Sequence, residues 1–142
     1  MADGAGGRRQ ARERALGLLY EADAKGLSPR AVMEELPVAP DRFAAELVTG
    51  VQARAARIDE LLAAHAIGWK LDRMPVVDRT ILRLATFELL ARPDVPTGVV
   101  ISEAVELAKQ YSTDESGRFV NGVLSAVAAA ARPDQPPERQ AL

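Results

Sequence analysis

A chain of 142 residues can bury one proper core and is too short for two comfortable domains. A net charge of −2 argues against a protein that grips nucleic acid over its whole surface, and the absence of cysteine excludes disulfides and thiolate metal sites, in keeping with a reducing compartment. Apolar residues make up 48% but aromatics only 4%, so Ala, Leu and Val must build the interior, which favours closely packed helices over a sheet sandwich. No segment approaches the roughly 20 uninterrupted apolar residues of a membrane span, and no apolar run of secretory type follows the N-terminus. The expectation is a soluble, cytoplasmic protein.

Residues 1–7 contain three glycines and read as a flexible arm. From Arg8 to about Ala24 the pattern is helical, with Ala11, Ala15, Leu18, Leu19 and Ala22 along one stripe. Gly26 stops that helix, and Ser28-Pro29 opens the next, a short one ending near Leu36-Pro37. Pro40 or Asp41 then starts a longer helix, with Phe43, Leu47, Val51, Ala55, Ile58 and Leu62 on one stripe to about His65. Gly68-Trp69 breaks the pattern, and Trp69-Lys70-Leu71 forms a brief cover over the core. A further helix runs from Val77 to about Ala91, with Ile81, Leu84, Ala85 and Leu89 inward, and Pro93 to Pro96 is a rigid link.

The helix after that link can be capped by either Thr97 or Ser102, and places Ile101, Ala104, Val105 and Ala108 on one face. Val120, Val123, Leu124 and Val127 repeat the pattern beyond Ser112-Thr113-Asp114-Glu115, which reads as a capping box with Ser112 as the cap. Residues 132–142 are proline-rich and polar, and read as a disordered tail. The result is an all-α domain over 8–131 with six or seven helices and no strand.

Enzymatic readings fare badly. The only histidine, His65, has no cysteine or second histidine beside it, and Gly4-Ala5-Gly6-Gly7 follows no strand and precedes no Lys-Ser/Thr. The carboxylates of Glu103 and Glu106, or of Asp59 and Glu60, read as solvent charges, and no serine has a histidine base in an identifiable motif. Neither a catalytic group nor a cofactor or metal site is expected.

Binding surfaces carry more. Arg8, Arg9, Arg12 and Arg14 crowd the start, opposed locally by Asp3 and Glu13. Tyr20 lies two turns beyond Arg12, and Arg118-Phe119 and Asn121 open the last helix. A few cations beside flat rings suit unpaired RNA better than duplex DNA, and no helix-turn-helix recognition helix is present. The competing reading makes the rings core and the arginines solubilising, which leaves a helical protein-interaction module without direct RNA contact.

Three segments in order, RRQARERALGLLYEAD, DRTILRLATFELL and DVPTGVVISEAVELAKQYSTDESGRFVNGVL, resemble the NusB family of N-utilisation substance B proteins over nearly the whole of 8–131. A composition rich in Ala, Arg and Val points to an actinobacterial member. The resemblance implies an all-α antitermination-factor fold of two packed helical bundles and a role in processive transcription of ribosomal RNA operons. It implies pairing with NusE, the small-subunit ribosomal protein, binding of boxA single-stranded RNA, and membership of an RNA polymerase antitermination complex. It also allows a homodimer. Carried onto this chain, it puts Arg8, Arg9, Arg12, Tyr20, Arg118 and Phe119 on the RNA surface, and Asp78, Arg79 and Leu82 toward NusE. Two positions depart from the family pattern. Ser102 stands where Asn is common, and Gln10 replaces a third adjacent arginine, removing a cation from the RNA patch. The same fold also precedes RNA cytosine methyltransferase domains, for which this chain has no room.

Overall fold

The computed structural model describes residues 5–135, and the expectations for residues 1–4 and 136–142 lie outside them. Among the described residues there are seven α-helices and no strand: α1 Ala5–Lys25, α2 Pro29–Glu34, α3 Arg42–Ala53, α4 Ala55–His65, α5 Val76–Ala91, α6 Thr97–Tyr111 and α7 Asp114–Ala131. A single 3-10 turn, Leu71–Arg73, lies between α4 and α5. No helix in this range is long and apolar enough to cross a membrane.

Local chemistry sets most of the boundaries. Ser28 Oγ accepts from the Ala31 amide at 3.1 Å, with Pro29 in the first turn, and Asp41 Oδ2 accepts from the Ala44 amide at 3.0 Å. Gly26 and Gly68 adopt φ of 67° and 85°, the left-handed region in which a Cβ is strained, and so end α1 and the approach to the 3-10 turn. Pro96 precedes α6, which settles its start at Thr97.

The structure departs from the sequence reading in four places. The helix expected from Asp41 to His65 breaks at Arg54 (φ −110°, ψ 21°), so Ala55 is exposed while Ile58 and Leu62 remain in the core. Helix α1 already includes Ala5 to Gly7, assigned to the arm. The cap of α7 is Thr113, whose Oγ1 accepts from the Ser116 amide at 2.9 Å; Ser112 instead closes α6. Arg132, placed in the tail, is buried. Its guanidinium donates to the carbonyls of Glu88, Leu89, Arg92 and Val95 and to Thr97 Oγ1, at 2.8 to 3.1 Å. Three of those carbonyls lie at the C-terminal end of α5, where free acceptors and the helix dipole favour a cation.

Helix α5 is the axis of the molecule and packs against α1, α3, α4, α6 and α7. Helices α1 to α3 gather on one side, and α6 and α7 pair on the other. Leu18, Leu47, Ile58, Leu62, Ile81, Leu82 and Leu124 are the largest fully buried side chains and form one continuous core. Gly50 lets α3 approach α5, because a Cβ there would collide with the Phe87 ring.

Candidate nucleic-acid interface

Of the arginines at the start of α1, Arg8, Arg9 and Arg12 are bound to acids, while Arg14 is exposed without an ion pair. Arg12 is only 5% exposed and forms a double hydrogen bond, 2.8 Å in each arm, with Glu88, itself 2% exposed. This corrects the expectation that Arg12 faces RNA. Its position also fits an inward phase, since Arg12, Ala15, Leu16 and Leu19 follow i, i+3, i+4, i+7 and all are buried. Burial works against the Arg12 charge, but the hydrogen bonds and charge of Glu88 outweigh it and raise the pKa.

Arg9 grips Glu103 at 2.8 and 3.0 Å, and those hydrogen bonds hold the Glu103 carboxyl below its ordinary pKa. Arg8 approaches Asp94 at 3.8 Å, while Arg92 binds Glu46 at 2.6 Å and Asp94 at 3.2 Å. The guanidiniums of Arg8, Arg12 and Arg92 surround the Phe43 ring at 4.9, 5.5 and 5.0 Å from its centroid. Four arginines thus meet Glu46, Glu88, Asp94 and Glu103. The cluster is close to neutral and offers phosphate little net field.

Residues expected toward a protein partner also turn inward. Leu82 is fully buried, and Asp78 is 4% exposed with Oδ2 accepting from Ser116 Oγ at 2.8 Å. Arg79 donates to the Leu71 carbonyl at 2.9 Å and lies 3.6 Å from Asp23, so it ties the 3-10 turn to α1. As folded, Leu82 has no side-chain surface to offer, because the α5 stripe that carries it is the core stripe.

The aromatic residues stand differently. Tyr20 is 46% exposed and lines a hollow of about 360 Å³ with Glu13, Leu16, Gly17, Val77 and Tyr111. The Tyr111 hydroxyl donates to Glu13 at 3.4 Å, and burial, followed by the Glu13 charge, raises its pKa. Phe119 is half-buried against Trp69, with ring centroids 5.6 Å apart and planes tilted by 58°. Trp69, 52% exposed, Arg118 and Phe119 border a second hollow of about 440 Å³, which Asp78 also lines. Successive residues Val77 and Asp78 each line one of these hollows, so the two rings flank the start of α5. Arg8 lies twelve residues before Tyr20 on α1, about 18 Å along the axis.

Of the cations near the second hollow, Arg118 was singled out from sequence, and Lys70 and Arg73 were not. Among the described residues Arg14, Arg42, Arg54, Lys70, Arg73, Lys109 and Arg118 are exposed without an ion pair; of these Arg118 lines the hollow, and Lys70 and Arg73 flank it in sequence. Lys109 lies over Gly117, where an added Cβ would come within 3.0 Å of its stem. A lone tryptophan inside a Gly-Trp-Lys break was the available signal.

A central helix packed against five others, with its ringed hollow at the turn from α6 to α7, defines the all-α antitermination-factor fold. The family model described as NusB family matches residues 9–129. A transcription antitermination protein NusB from the actinobacterium Kineococcus radiotolerans is 49% identical over 125 residues, 85% of this chain and 92% of that one. The solved T. maritima NusB superposes with a TM-score of 0.80 at 36% identity, covering 90% of this chain and 95% of that one. A NusB chain solved with NusE and double-stranded RNA gives 0.70 at 33% identity, covering 87% and 96%. The chain belongs to the NusB family.

Proposed function

We propose that this protein is a transcription antitermination factor that binds boxA RNA of ribosomal RNA operons together with NusE, and that it acts in the cytoplasm by assembly, without turning over a substrate. The observation that carries the RNA half is the exposed Trp69–Phe119 pair beside Arg118, a stacking surface next to a cation without an acidic partner. Base–aromatic stacking is worth about 1–3 kcal/mol per base, which is enough for one or two rings to matter. The relative solved with NusE and double-stranded RNA supports both partners. For this chain the rings favour unpaired RNA, since a paired base has no free face to offer them.

The RNA surface is therefore centred on Arg118, Phe119 and Trp69, with Tyr20 across the start of α5. Arg8 and Arg9 contribute only where phosphate displaces Asp94 or Glu103. The test is a mobility shift of a boxA oligomer with the protein alone and then with NusE. Phe119→Ala and Trp69→Ala should each weaken binding about tenfold, and Arg118→Ala should lower the salt slope by about one. Full affinity in all three variants would remove RNA from this face.

A second reading, a protein-interaction module, is favoured by the hollow around Tyr20. Apart from Glu13 its lining is uncharged, and an acid there repels phosphate while Leu16, Val77 and two tyrosines offer apolar contact.

A further inference from the structure

The hollow beneath Trp69 and Phe119 contains an acceptor that nothing in the described residues satisfies. Ser116 Oγ donates to Asp78 Oδ2 at 2.8 Å, so its single proton is committed. Ser112 Oγ and Thr113 Oγ1, 2.9 and 3.1 Å from Ser116 Oγ, must then donate to it. Every hydroxyl in this chain of bonds runs toward Oδ2. Asp78 Oδ1 is left buried without a partner, and Asp78 lines a cavity of about 440 Å³ whose other walls include Met74, Glu115, Arg118 and the two rings. A buried acceptor in that state favours any docked donor that reaches it.

We propose that this cavity seats one unpaired RNA base bearing an exocyclic amino group, with an amino N–H donated to Asp78 and the base plane against Trp69 or Phe119. The inference rests on the RNA reading above and adds base selectivity to it. Cytosine, adenine and guanine each carry such an amine. Uracil presents its only edge N–H between two carbonyl oxygens, which would face the Asp78 carboxylate oxygens and repel them. A lysine or arginine from a protein could also meet Asp78. Arg118 and Glu115 both stand in the wall, so charge alone does not choose between the two; the faces of Trp69 and Phe119 fit a flat base, and Arg118, with Lys70 and Arg73 nearby in sequence, suits the phosphates that flank it.

The test uses fluorescence anisotropy on the whole protein with labelled dodecamers of cytidine, of uridine, and of N4,N4-dimethylcytidine, which keeps the ring and loses both amino protons. The cytidine oligomer should bind about tenfold tighter than either of the others. Asp78→Asn, whose amide can also donate, should bring cytidine and uridine within about twofold of each other. The dimethylcytidine comparison needs no variant and stands even where Asp78→Asn fails to fold. Equal affinity for cytidine and dimethylcytidine, or discrimination that survives in Asp78→Asn, overturns the assignment. The measurement is made with NusE present, and failure of all three oligomers to bind under that condition removes the RNA reading itself and this inference with it. Binding of a lysine decapeptide that is lost in Asp78→Asn, without discrimination among RNAs, overturns it in favour of a protein visitor.

Discussion

Replacing Arg12 by Met separates the internal role of this arginine from any role in RNA binding. The substitution keeps most of the side-chain volume but removes both hydrogen bonds to Glu88, whose carboxylate is 2% exposed. Breaking one side of a buried pair costs about 3–5 kcal/mol, because the surviving charge has neither water nor partner. Loss of the guanidinium from the Phe43 ring adds about 0.5–1 kcal/mol. With a urea m-value of about 2 kcal/mol per molar, the midpoint should fall by roughly 2 M. Arg12→Met with Glu88→Leu should recover most of this, since an apolar pair of similar volume is often as stable as the ions it replaces. Urea unfolding followed by circular dichroism on the full cycle measures the coupling. A single-variant shift below about 0.5 M would refute the reasoning. So would a folded Arg12→Met protein whose RNA affinity and salt slope both drop, because that side chain would then be reaching phosphate.

Other outcomes follow from the same geometry. Arg132→Met should cost about 3 kcal/mol in urea unfolding, because the carbonyls it joins lose a charged donor, and Arg132→Lys should recover only part, having fewer donors in a less fitted shape. Gly50→Ala pits a gain of about 1 kcal/mol in helix propensity against overpacking of up to about 3 kcal/mol on Phe87, so a net loss is expected in thermal unfolding. Glu103 titrates below its ordinary value because Arg9 hydrogen-bonds it. Its contribution is therefore present above the unfolded carboxyl pKa of about 4.3 and fades as pH falls through the lower folded value. Arg9→Ala should lower stability slightly at neutral pH, leave it unchanged once Glu103 is protonated, and so flatten that acid limb, as measured by unfolding between pH 2 and about 7.

The helical class and most helix starts were legible because they rest on local chemistry. Ser28-Pro29, Asp41 and Gly26 do in the structure what their side chains or backbone freedom dictate. The break at Arg54 was not legible, since the apolar stripe runs on in register from Val51 to Ile58 and Leu62 while the backbone turns between Val51 and Ile58. The cap at Ser112 was misread by one residue because Ser and Thr are equally able caps. Ser116, whose hydroxyl binds Asp78, is what sets Thr113 as the cap. The candidate site suffered most from treating charge as surface. Arg12 and Glu88 both occupy core-phase positions of their helices, and two opposite charges at core phase are themselves a sign of a buried pair. The sequence left Tyr20 open between core and surface, and the structure exposes it, while the contribution of Trp69 depended on a contact 50 positions away in the chain, which spacing alone does not reveal.

Glu88 receives both ends of the folded chain. Its carboxylate holds Arg12, and its backbone oxygen receives Arg132, across separations of 76 and 44 residues. During synthesis the first of these can close once α5 has emerged, but the second must wait until α6 and α7 have been made as well. A nascent chain halted before position 132 would keep its core helices and still leave the far end of α5 unsealed. Emergence of Arg132 thus becomes a late step of consolidation.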